Sequence, residues 1–280
     1  MSATRIHQMK AQLDTAHGSR QRLTKVANIL DDNGEGIKRV LKKQTYLSAT
    51  TTYAYALDLS AQLTLSGAQC IKSNKYSTVF IRGYAATGNG VLDSYACSNI
   101  NNAYNAGLGT EVYMTPLITS SKNGTQQFDE LYNGLKKCNI VIRSVWIQVT
   151  SPVNWSYPGT NINFINSIIS RAKQYGLNVG IYTNQYDWSQ ITSGASGAAN
   201  GLMLWYWNVN GSGVSGETGA NFNDFVSFGY WSAPSVKQFA QVESVCGYTV
   251  NRDVYSTSST MAGMVRRESN VPIVGSIGIN

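Results

Sequence analysis

Eight short strand-like runs between residues 53 and 254, the earlier ones separated by amphipathic helical stretches, constrain this chain more than any other feature of its sequence. The segments 53–59, 78–84, 111–114, 141–149, 178–183, 202–207, 237–242 and 248–254 read as strands, rich in Val, Ile, Tyr and Trp. Helical periodicity fills the gaps at about 68–73, at 95–105 with Gly107 just past its end, and at 125–137. A fourth helix runs from a capping Thr160 or Asn161 to Gly176, with Ile162, Ile165, Ile168, Ile169 and Ala172 on one face. The pattern gives eight strands and about five helices, and the last two strands are joined by a short link. Strands alternating with helices form a parallel sheet, and eight of them close most naturally into a barrel. A doubly wound open sheet would want a Gly-rich phosphate loop after the first strand, where Asp58-Leu59-Ser60-Ala61 stands instead. The expected fold is therefore α/β, an irregular TIM-like β/α-barrel over residues 48–280. Residues 1–47 read as an N-terminal extension, helical or partly disordered, with Ile6, Met9, Leu13 and Ala16 and then Leu23, Val26, Ile29 and Leu30 at helical spacing.

The net charge of +7 suggests a nucleic-acid partner only until it is located. Residues 1–47 hold nine Lys/Arg against four Asp/Glu, leaving thirteen against eleven for the other 233 residues. A body at +2 does not make a phosphate-binding surface, so no nucleic-acid partner is expected. Both histidines, His7 and His17, also lie in the extension. Ser-His and Cys-His nucleophilic catalysis and most zinc sites are thereby excluded from the body, and no cofactor or metal is expected there. Any acid–base chemistry falls chiefly to the body's eleven carboxylates.

Cys70, Cys97, Cys138 and Cys246 are widely spaced and form no C-x-x-C pair, which fits two disulfides in an oxidising compartment. Sequons at Asn123, Asn154 and Asn210 point the same way, to a secreted or luminal protein. Against this, Met1-Ser2-Ala3-Thr4-Arg5 is followed by no apolar stretch of signal-peptide length. No apolar run is long enough to span a membrane.

In a barrel the functional residues gather at the C-terminal ends of the strands. Those ends bring together Asp58, Arg82, Tyr84, Tyr113, Gln148, Thr150, Tyr182, Trp205, Tyr206, Gln238 and Asp253. Aromatic faces stack on the apolar faces of pyranose rings while carboxylates and amides bind their hydroxyls, so such a mouth suits an oligosaccharide.

The motifs Tyr55-Ala56-Leu57-Asp58-Leu59-Ser60, Val112-Tyr113-Met114, Ile181-Tyr182-Thr183, Leu204-Trp205-Tyr206-Trp207 and Arg252-Asp253-Val254, in this order over roughly residues 53–257, resemble the successive strands of glycoside hydrolase family 25, the muramidases, in their nematode lysozyme-like branch. The resemblance implies an irregular eight-stranded barrel that cleaves, or once cleaved, peptidoglycan, and a setting in antibacterial defence. It also implies a departure, because where the family carries Asp-x-Glu this chain has Gln148-Val149-Thr150. Positions two apart on a strand face the same side, so the amide and the hydroxyl would stand where the family's carboxylates do. Neither releases a proton near neutral pH. The expectation is a glycan-binding protein with hydrolysis lost or weak, in which Asp58 and Asp253 position sugar hydroxyls and Tyr113, Tyr182, Trp205 and Tyr206 supply stacking surface. The alternatives are an active muramidase with a displaced acid, Asp187 being the nearest candidate, and a non-enzymatic interaction protein on a barrel scaffold. From barrel topology, Cys97 is expected to pair with Cys138 and Cys70 with Cys246.

Overall fold

The strand and helix alternation closes into a ring in the computed structural model, which describes residues 52–197, 201–257 and 271–277. In chain order the elements are β1 (Tyr53–Leu59), α1 (Leu65–Ser73), β2 (Tyr76–Ala85), β3 (Val91–Leu92), α2 (Ala96–Asn105), β4 (Gly109–Met114), α3 (Gly124–Lys137), β5 (Val141–Ile142), β6 (Ser144–Gln148), α4 (Pro158–Gln174), β7 (Asn178–Thr183), α5 (Gln185–Thr192), β8 (Met203–Trp207), β9 (Val236–Val245), β10 (Tyr248–Ser256) and β11 (Ile273–Val274). The closed barrel runs β1, β2, β4, β6, β7, β8, β9, β10 and back to β1. The 1–47 extension lies outside the described residues.

Seven barrel strands are parallel, as the alternation requires, but β10 is antiparallel to both of its neighbours. The cause is local. Only Cys246 and Gly247 separate β9 from β10, and a parallel connection needs a crossover of a dozen or more residues. Both linking residues have positive φ, 53° and 81°, the conformation of a two-residue hairpin turn that matches strand twist. Two more expectations shift. The run 141–149 breaks at Arg143, leaving β5 paired with the C-terminal β11 and β6 in the barrel. Helix α4 starts at Pro158, capped by Tyr157, and the Asn161 amide instead ties Ser156 to Ile191.

Strand alternation divides the core in two. One set of side chains, including Leu57, Ile81, Val112, Ile147 and Ile181, faces outward under the helices, joined by Phe128, Leu131, Ile165 and Ile168 from α3 and α4. The other set fills the barrel: Phe80, Tyr113, Trp146, Tyr182 and Trp205. Trp205 is its hub, stacked on Tyr182 at 4.1 Å, tilted on Phe80 at 4.4 Å and edge-on to Trp146 at 6.0 Å. Such pairs contribute ~0.5–1.5 kcal/mol each beyond the area they bury. Gly180 makes the packing possible, since a Cβ there would lie 2.2 Å from the Trp146 ring.

The two ends of the barrel differ. At the N-terminal end, the Glu111 carboxylate accepts hydrogen bonds from Ser144, from the Trp146 indole, from the backbone N–H groups of Ser276 and Ile277 and from the Ser276 hydroxyl. The C-terminal segment thus plugs that end. Cys70–Cys246 and Cys97–Cys138 form as expected, the first fastening α1 to the β9–β10 turn and the second joining α2 to the end of α3.

Candidate functional site

The C-terminal ends of the parallel strands form the open mouth, and the antiparallel β10 changes how deep its residues sit in it. In register, Asp58 on β1 lies opposite Asn251 and Ala56 opposite Asp253. Asp253 is therefore one inward-facing step below Asp58, fully buried inside the barrel, and not at the tip of a strand as a parallel arrangement would place it. Asp58 receives the Gln238 amide at 2.7 Å on one oxygen and the Asn251 amide at 2.9 Å on the other. Asp253 receives the Trp205 indole N–H at 2.9 Å on one oxygen only. Its other oxygen is buried without an acceptor or donor partner of its own in the unprotonated state.

Burial pushes the Asp58 carboxyl up to about 6 despite the two amide donors. Burial pushes Asp253 well above the usual carboxylate range, and the Asp58 charge beside it adds to the rise. The geometry explains the order. Asp58, with a donor on each oxygen, holds the negative charge near neutral pH, and Asp253 keeps the proton and turns its free oxygen toward Asp58. The network continues from Gln238, whose carbonyl accepts from the Tyr182 hydroxyl at 2.9 Å and from Gln241 at 2.6 Å.

Across the mouth, the Thr115 hydroxyl donates to the Gln148 carbonyl at 2.6 Å and the Gln148 amide donates to the Thr150 hydroxyl at 3.0 Å. Gln148, Thr150 and Thr115 line a cleft of about 390 Å³ bounded by Leu117 and Trp155. Among the described residues, this wall carries amide and hydroxyl groups and no carboxylate.

The comparisons with known proteins bear on this arrangement. A family model described as lysozyme-like protein 1 matches residues 49–239. Lysozyme-like protein 7 of Caenorhabditis elegans is 58% identical over 215 residues, covering 76% of each chain. A probable GH family 25 lysozyme of Dictyostelium discoideum is 32% identical over 192 residues, covering 68% of this chain and 85% of the relative. The chain belongs to the lysozyme-like family of the glycoside hydrolase family 25 type. Among solved structures, a bacterial lysozyme from Streptomyces coelicolor superposes with a TM-score of 0.58 at 20% identity, over 74% of this chain and 93% of that one, a likeness of fold.

Within this lysozyme-like barrel the expected site residues separate into groups. Asp58, Asp253, Tyr182 and Trp205 form one buried network, and Tyr113 packs edge-on against Trp205 beside it. The Tyr113 hydroxyl makes no hydrogen bond among the described residues, and burial with the nearby Asp58 charge pushes its pKa up, so it stays a neutral donor. Trp205 and Tyr182 are core, with little ring face left to stack on a ligand. Tyr206 points the other way, out of the barrel, where its hydroxyl donates to Asp224 at 2.7 Å and its ring meets Phe222 and Phe225. A one-residue step along a strand reverses the face, which is why Trp205 and Tyr206 cannot share the mouth.

Asp187 is not at a strand end. It lies in the first turn of α5, a helix too short and too weakly amphipathic to stand out in the sequence. Burial pushes its carboxyl up, opposed by hydrogen bonds from the Trp207 indole and the Ser151 backbone. Asn251 and Thr115 escaped the sequence reading. The signal for Asn251 was its position two residues before Asp253 on the same strand face.

Proposed function

We propose that this lysozyme-like protein binds peptidoglycan or a related N-acetylated glycan across its barrel mouth, with hydrolysis lost or weak. The carrying observation is the hydrogen-bonded trio Thr115, Gln148 and Thr150 on the wall where the family resemblance puts two carboxylates. Glycoside cleavage needs an acid to protonate the leaving oxygen and a carboxylate to meet the oxocarbenium-like charge, and general acid catalysis alone is worth ~10²–10⁴-fold. An amide and hydroxyls hydrogen-bond a sugar but supply neither. Asp58, the Tyr113 hydroxyl and the cleft wall remain as sugar contacts. Two disulfides favour a secreted setting, and the family suggests antibacterial defence.

A second reading, hydrolysis by a displaced acid, draws on Asp187, whose buried carboxyl has a raised pKa. Both of its hydrogen bonds come from N–H donors, which favour the ionised form, and it fixes Trp207 and the Ser151 turn instead of facing the Gln148 cleft.

Pelleting with purified peptidoglycan tests the proposal. The unmodified protein should pellet without lysing the polymer. Tyr113→Phe, which removes one unpartnered hydroxyl, should weaken pelleting by about three- to tenfold with an unchanged melting temperature. Failure of the unmodified protein to pellet would refute glycan binding, and lysis by it would refute the loss of hydrolysis.

A further inference from the structure

The near-neutral total charge of the body conceals a segregation along the barrel axis. Among the described residues, five Lys and Arg side chains meet a carboxylate within 3.1 Å. The other six, Lys72, Lys75, Lys136, Lys137, Arg143 and Lys173, make no ion pair, and all six are exposed. Helices α1, α3 and α4 run back against the parallel strands, so their last turns and the strand starts that follow them lie at the N-terminal end of the barrel. Lys72, Lys136, Lys137 and Lys173 occupy those last turns, and Lys75 directly precedes β2. Arg143 lies between β5 and β6, its backbone N–H donating to Val274 of β11 and its carbonyl accepting from Asn178 at the start of β7. We propose that this end of the barrel is a docking surface for an anionic phospholipid bilayer, on which the barrel rests with its mouth turned away.

Cations complement the negative end of a helix dipole, and that accounts for part of the pattern only. Helices α2 and α5 end without a basic residue, and Lys75 and Arg143 belong to no helix. Lys75 also adopts a φ of 67°, the left-handed region that glycine enters more readily, so a charged side chain stands there against the backbone preference. The Glu111 carboxylate at the same end is buried and already accepts from Ser144, Trp146 and Ile277, and it forms no ion pair with the six.

The distribution suits a flat anionic surface better than a linear polyanion. The charges come from three separate connections around the rim of the barrel, the ends of α1, α3 and α4, whereas a phosphodiester strand is gripped along one track. Five of the six are lysines, point charges on flexible stems that suit diffuse attraction to headgroups, where forked phosphate recognition favours arginine. Val141, 38% exposed two residues before Arg143, adds an apolar side chain of the kind the headgroup boundary accepts.

Sedimentation of the full chain with vesicles of phosphatidylcholine containing about a third phosphatidylglycerol, beside vesicles of phosphatidylcholine alone, tests the surface. The unmodified protein should sediment with the anionic vesicles only, and raising the salt from about 0.1 M to about 0.5 M should release it. Each cation at such a surface is worth about fivefold in affinity, so the variant carrying Lys136→Gln, Lys137→Gln, Arg143→Gln and Lys173→Gln should bind at least a hundredfold more weakly, with an unchanged melting temperature. If that variant does not fold, the pairs Lys136→Gln with Lys137→Gln and Arg143→Gln with Lys173→Gln should each lose roughly 20-fold. Lys122→Gln, which removes one charge from the mouth end, where Lys122 is paired with Glu130, should change binding less than about twofold. Undiminished binding by the four-fold variant and by both pairs would place the attraction elsewhere in the chain and overturn the surface. No sedimentation of the unmodified protein with anionic vesicles would overturn it too, as would binding of a DNA duplex in their stead.

Discussion

Asp58 and Asp253 share one proton at neutral pH because they are buried together and only Asp58 has a donor on each oxygen. This has a stability consequence with a definite sign. The folded Asp58 carboxyl titrates at about 6 and the unfolded one near 3.8, so between those values the folded state binds more protons. Stability from this group is full below about pH 4 and is lost as pH rises toward 6. Asp58→Asn, which cannot titrate, should abolish that decline. Its unfolding free energy relative to the unmodified protein should rise steadily from pH 4 to pH 6.5, by an amount on the order of 3 kcal/mol at most. A difference that does not change with pH would show that Asp58 titrates normally. Both carboxylates were legible in the sequence as inward positions on strands. Their roles were not, because depth in the barrel depends on the direction of β10, and the partners Gln238 and Asn251 arrive from strands 180 and 193 residues away.

Among the elements, the β9–β10 hairpin does most to shape the site. It reverses β10, closes the ring against β1 and brings Asn251 and Asp253 beside Asp58. Cys246 occupies its turn and is tied to Cys70 on α1, so the disulfide pins the closing strand to the first helix across 176 residues of chain. Replacing both with Ser should cost about 2–5 kcal/mol in chemical denaturation. Amide exchange should quicken in β10 before it does in β4 or β6. Uniform quickening would contradict a special role for this hairpin in closure. Periodicity found the strands well because their inward and outward faces are strongly apolar, and it found α2, α3 and α4 for the same reason. It missed α5, which has eight residues, and the break at Arg143, which depends on the C-terminal β11 pairing with β5. Tyr206 was misassigned for a simpler reason. A tyrosine beside Trp205 looks like mouth surface until the strand's alternation is anchored by Trp205 bonding inward to Asp253.

At the scale of the whole molecule, the two ends of the barrel are built differently. Among the described residues, 273–277 and the Glu111 carboxylate pack across the N-terminal end, while the strand ends at the mouth carry the candidate site. One side of that mouth holds a buried carboxyl pair and the other a neutral amide and hydroxyl wall. The family resemblance puts an acid on that second wall, and this chain presents Gln148 and Thr150 there. In the proposed function the cleft is intact and only its acid–base pair is missing. The direct measurement is turbidity loss of purified peptidoglycan with the unmodified protein and with the Gln148→Asp, Thr150→Glu double variant, each checked for pelleting. Pelleting by both and lysis by the double variant alone are expected. Lysis by the unmodified protein, abolished by Asp187→Asn or Asp58→Asn, would contradict the proposed function and assign the chemistry to a different carboxyl.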